Sequence, residues 1–127
     1  MKTPHVLLLT GDSQLETAVV EALPEIGGRS CVAHDVDEAV ADVCGGVPQI
    51  DAAIIDFQHG AYGLTLLSAL KACQPRLPVI AVVQPDDKQI QALAYALGAS
   101  ACLCSGFSKY ALVSAIQQIS EAALRAA

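Results

Sequence analysis

The chain has 127 residues, a length that suits one domain around a single core. Its 13 acidic against 7 basic side chains leave a net charge of -6, which opposes nucleic-acid phosphates and anionic lipid and argues against direct contact with either. With 54% hydrophobic residues, only 4% aromatic and no Trp, the core must be built from Ala, Val, Leu and Ile, as in a parallel sheet buried on both faces.

Taken in order, short apolar runs alternate with longer stretches whose apolar residues recur at helical spacing. The N-terminal run Val6 to Leu9 is too short for a signal-peptide core or a membrane span, so a cytoplasmic location is expected. The first strand is predicted over His5–Thr10. A helix follows from Ser13, where Ser13 and Glu16 have capping-box spacing, to about Leu23 before Pro24. The second strand is predicted over Arg29–His34, and Asp35 with Glu38 opens a helix that runs to about Cys44 before Gly45 and Gly46.

The third strand, Ala52–Asp56, ends its apolar run on an acid. After Gly63, Leu64, Leu66, Leu67 and Leu70 form the apolar face of a third helix that stops before Pro75. Pro78–Val83 is the fourth strand. Asp86 or Asp87 caps a fourth helix with Ile90, Leu93, Ala94 and Leu97 inward and Gly98 as its stop. Ala101–Cys104 is the fifth strand, and Ser108 caps a fifth helix whose buried stripe is Leu112, Ala115, Ile116 and Ile119, with Phe107 and Leu112 placed for a hydrophobic staple.

Five strands alternating with five helices imply right-handed crossovers, a parallel sheet with helices on both faces, and a site beyond the carboxyl ends of the strands. Thr10, Asp56, Val83 and Ser105 fall at that edge. The five cysteines are odd in number and lack a C-x-x-C pair, so reduced thiols are expected and a disulfide is not. Cys102 and Cys104 alternate on one strand and are read as small core residues sharing a face.

The order and spacing of several segments resemble the receiver domain of two-component response regulators over nearly the whole chain. The residues that carry the resemblance are Asp51-Ala-Ala-Ile-Ile-Asp56, Gly63-Leu64 with Leu66, Leu67, Leu70 and Lys71, Leu77-Pro78-Val79-Ile80-Ala81, Ala96-Leu97-Gly98-Ala99, and Phe107-Ser108. The resemblance implies a CheY-like, flavodoxin-like (βα)5 fold of strand order 2-1-3-4-5, with residues 1–127 as one receiver-like domain, alone or at the front of a longer regulator. It also implies Asp56 as the phosphoacceptor and a Mg²⁺ ion held by acids after the first and third strands, which suits a hard cation.

Here the family's acidic pair falls on Thr10 and Gly11, with Asp12 one place later. The metal set implied by the resemblance is therefore reduced to Asp12, Asp56 and the carbonyl of Gln58, in a loop one residue shorter than the family's. The position of the phosphoryl-binding hydroxyl is Val83 and that of the Lys is Ser105, so the charge neutralisation that phosphoryl transfer relies on is depleted. Asp12 also suits the N-cap of the first helix.

No catalytic residue is assigned and no enzyme activity is expected. The expected function is an atypical receiver in phosphorelay signalling that acts mainly by binding protein: a histidine kinase, an output domain or a second copy. A homodimer through helix four, strand five and helix five would use Lys88, Gln91, Tyr95, Lys109, Tyr110 and Gln117, since exposed Tyr is enriched in interface hot spots. The alternatives are a working phosphoacceptor at Asp56 and a small-ligand-binding domain at the carboxyl edge of the sheet.

Overall fold

The computed structural model of the chain describes residues 5–10, 13–26, 28–33, 36–45, 50–57, 62–104 and 108–126. Its strands are β1 (His5–Leu9), β2 (Arg29–Ala33), β3 (Ala52–Asp56), β4 (Val79–Val83) and β5 (Ala101–Cys104). The helices are α1 (Ser13–Ala22), α2 (Val36–Gly45), α3 (Tyr62–Cys73), α4 (Lys88–Ala96) and α5 (Lys109–Ala126), and a 3-10 turn, Leu23–Ile26, follows α1. The strands pair in parallel in the order β2-β1-β3-β4-β5, as the resemblance implies.

Side-chain alternation along the strands builds two cores. Leu7, Ala53, Ile55, Val79, Ala81 and Val83 face one way and pack with Val43, Leu66, Leu67, Leu70 and Ala94 from α2, α3 and α4. Val6, Leu8, Ala52, Ile54, Ile80 and Val82 face the other way and pack with Leu15, Val19, Leu112 and Ile116 from α1 and α5. Every residue of β3 and β4 is buried, which is why these strands read as unbroken apolar runs.

The caps follow the sequence signals. Asp87 caps α4, its Oδ1 accepting the Ile90 N–H at 3.1 Å, and Ser108 Oγ accepts the Ala111 N–H at 3.2 Å at the start of α5. Gly98 ends α4 at φ +108, with its N–H on the Tyr95 carbonyl and the Ala99 N–H on the Ala94 carbonyl, the pair of bonds that satisfies the last turn's orphan acceptors. Gly98 is also crowded: a Cβ there would stand 2.8 Å from Lys71 Cε.

Three expectations are corrected. Leu93 of α4 and Leu97 just after it are 42% and 38% exposed, not inward, because Ala94 and the half-buried Ile90 are the residues that this short helix turns to the core. Cys104 is exposed and only Cys102 packs against the core. Cys44 and Cys73 are joined as a disulfide, with Cα atoms 5.9 Å apart, because the packing of α2 against α3 brings the last turns of both helices together. Cys31, Cys102 and Cys104 are unbridged.

Candidate functional site

The candidate site grows from the register of the two central strands. Leu9 pairs with Ile55, so the next step along each strand sets Thr10 beside Asp56 at the carboxyl edge. Both continue the series of residues facing α1 and α5 (Val6, Leu8 and Ala52, Ile54), so their side chains lie on one face. The Thr10 hydroxyl donates to Asp56 Oδ2 at 2.7 Å. Asp56 is 6% exposed and is the one buried charged side chain among the described residues. A charge so far from water must be met by donors. A neutral hydroxyl thus binds the carboxylate at a place where a second acid would repel it.

Phe57 follows Asp56 into the opposite core, its N–H bonded to the Val82 carbonyl at 2.8 Å. Its ring lies against the first turn of α3, where a Cβ on Gly63 would stand 2.9 Å from ring atoms Cγ and Cδ1. Gly63 therefore permits a close approach of helix backbone and ring. Asp51, at the other end of β3, accepts the His5 N–H on Oδ2 at 2.9 Å and so pins β3 to β1.

Val83 is fully buried in the core that faces α2 to α4 and offers no hydrogen-bonding side-chain atom. Gly11, Asp12, Gln58 and Ser105 lie outside the described residues. Among the described residues, no group of three or more His, Cys, Asp or Glu side chains is arranged to hold a metal. Thr10 and Asp56 are brought together, whereas Val83 joins the opposite core. Thr10, read from sequence as a missing acid, is a hydrogen-bond donor to Asp56; the strand pairing held the signal for that.

On the face formed by α4, β5 and α5, Lys88 and Gln117 are exposed and Gln91 is half-buried. Tyr95 is 53% and Tyr110 84% exposed, whereas the side chain of Lys109 is not among those described. Tyr95 is fixed to β5, its hydroxyl accepting the Cys102 N–H at 3.1 Å. Burial pushes the Cys102 thiol above its ordinary range, the Tyr95 hydroxyl pulls the other way, and Cys104 adds to the rise. Gln91 Nε2 donates to Cys104 Sγ at 4.0 Å, a second tie between α4 and β5.

A shallow groove of about 310 Å³, lined by Val20, Leu23, Pro24, Gly28, Arg29 and Ser30, opens at the start of β2. It lies at the edge of the sheet away from Asp56, because Arg29 pairs with His5 at the amino end of β1. No helix among the described residues is long and apolar enough to cross a membrane.

No family model matches the chain, and no curated protein matches it. Solved structures do. A CheY-like response regulator receiver domain protein from Methanospirillum hungatei JF-1 superposes with a TM-score of 0.88 at 16% identity, over 99% of this chain and 100% of that one. A response regulator receiver domain protein from Clostridium thermocellum gives 0.82 at 21% identity, over 93% and 94% of the two chains. NtrX from Brucella abortus gives 0.85 at 21% identity over 96% of this chain, which spans 28% of that larger protein. The chain therefore has the fold of the response-regulator receiver domain, with Asp56 at the carboxyl end of its third strand.

Proposed function

We propose that the protein is an atypical receiver in two-component signalling whose main work is to bind protein, with weak or no phosphorylation of Asp56. The observation that carries this reading is the 2.7 Å bond from Thr10 to the carboxylate of Asp56, which is 6% exposed. To accept a phosphoryl group, a carboxylate oxygen must attack phosphorus while cations neutralise the incoming charge. Here one oxygen is engaged by a neutral hydroxyl, the residue at the first acidic position is Thr10, and Val83 supplies no donor. In this reading the chain turns over no substrate, and any Mg²⁺ would have to be held by Asp56 with Asp12 and Gln58.

The binding surface in this reading is α4, β5 and α5. Tyr95, Tyr110, Leu93 and Leu97 are all exposed on these elements or next to them, and aromatic anchors dominate interface energetics. The partner is a histidine kinase, an output domain or a second copy, with no direct nucleic-acid contact by this acidic domain. A cytoplasmic location belongs to the same proposal. The small-ligand alternative gains nothing from the groove beside Arg29, which lies at the other edge of the sheet.

The test is incubation with acetyl phosphate or beryllofluoride plus Mg²⁺, beside an Asp56→Asn control, followed by intact mass, amide chemical shifts and sedimentation. The expected result is little or no Asp56-dependent adduct, with the oligomeric state unchanged. Stoichiometric phosphorylation of Asp56 with a change of oligomeric state would establish the conventional phosphoacceptor instead.

A further inference from the structure

We propose that Cys44 and Cys73 form a thiol–disulfide exchange site, which opens and closes a covalent ring around β3, Asp56 and α3. The two cysteines are 29 positions apart, so the chain between them contains the whole of β3, the segment after Asp56 and all of α3. The bond therefore closes a loop upon the strand that carries the candidate site.

Both cysteines lie on the surface in the last turns of their helices, where a dissolved thiol can reach them. Opening the bond requires an outside thiol. Packing beside the bond does not depend on it: Val43 and Leu70 are fully buried in one cluster, and Gln74 Nε2 donates to the Val43 carbonyl at 3.3 Å. The helices therefore stay docked when the ring opens.

The exchange balances with a thiol as reductant. A thiolate attacks one sulfur and forms a mixed disulfide, and the other cysteine leaves as a thiolate that takes a proton from water. A second equivalent of the thiol attacks the mixed disulfide, releases the remaining cysteine and departs as the oxidised disulfide. The ring closes by the reverse path, with a low-molecular-weight or protein disulfide as the oxidant. Cytosolic disulfides are usually transient and catalytic or redox-sensing, which matches the location proposed above. The chemistry at the two sulfurs can be measured without that location.

The experiment uses the full chain, purified without reductant, and counts iodoacetamide adducts by intact mass after a denaturing quench. Three adducts are expected before reduction, from Cys31, Cys102 and Cys104, and five after incubation with dithiothreitol under native conditions. Native opening should proceed without waiting for unfolding, because both cysteines are exposed residues of the fold. A Cys44→Ser variant should give four adducts with or without reductant. Hydrogen exchange should quicken more over 62–73 than over α5 on opening. Five adducts at the outset, a bond that opens only on unfolding, or identical exchange over 62–73 in both forms would each overturn the proposal.

Discussion

Removing the Thr10 hydroxyl should destabilise the fold through Asp56. Thr10→Val keeps the β-branched shape that suits the end of β1 and deletes the hydroxyl that donates to Asp56 Oδ2. A hydrogen bond to a charged group contributes about 1.5–3 kcal/mol. Little of that is lost to solvent here, because the carboxylate is 6% exposed. With an unfolding entropy near ~2.1 cal/mol/K per residue over 127 residues, each kcal/mol moves the melting temperature by roughly 4 °C, so a fall of about 6–11 °C is expected. The assay is urea unfolding of four proteins: the parent, Thr10→Val, Asp56→Ala and the double variant. A coupling energy near ~1.5–3 kcal/mol between the two positions supports the reasoning; one below about 0.5 kcal/mol would show that Thr10 does not sustain the buried carboxylate.

Further outcomes follow from other parts of the molecule. Reducing the Cys44–Cys73 bond frees a loop of 29 positions, which in the chain-entropy account costs about 3.6 kcal/mol and lowers the melting temperature by roughly 13 °C, measured by calorimetry with and without dithiothreitol. Gly98→Ala should cost about 1–3 kcal/mol in the same assay, since φ +108 is strained for any L side chain and the new methyl would displace Lys71 from the Leu77 carbonyl. Thr10→Asp restores the family's acid beside Asp56; the variant should melt lower in chelator and regain about 1.4 kcal/mol when Mg²⁺ reaches tenfold its Kd, whereas no response to Mg²⁺ would show that a second acid is not what the site lacks. Cys102 should alkylate more slowly at pH 8 in the folded protein than in the unfolded chain. Its raised pKa leaves less thiolate, and the gap should narrow as pH rises through the folded value; peptide mapping after timed alkylation checks this.

Much of this was legible in the sequence because local and global signals agree. The capping residues Asp87 and Ser108, the stop at Gly98 and the span of β3 all arise from short-range chemistry, and the structure places them where the pattern does. The failures have long-range causes. Cys44 and Cys73 meet only after α2 packs on α3, and nothing in a spacing of 29 residues announces that pairing. Leu93 and Leu97 have inward spacing, yet α4 turns Ala94 and Ile90 to the core and leaves Leu93, and Leu97 just past its end, exposed. The bond from Thr10 to Asp56 joins residues 46 positions apart and needed the register of β1 on β3.

The contact of Phe57 with Gly63 acts as a rivet between the end of β3 and the first turn of α3. On the β3 side the Phe57 N–H is bonded to the Val82 carbonyl and its ring is buried, and on the α3 side Gly63 is seated on that ring. The origin and heading of the Asp56 side chain are set below the rivet, by β1, β3 and β4, so loop length and carboxylate placement vary independently in this protein.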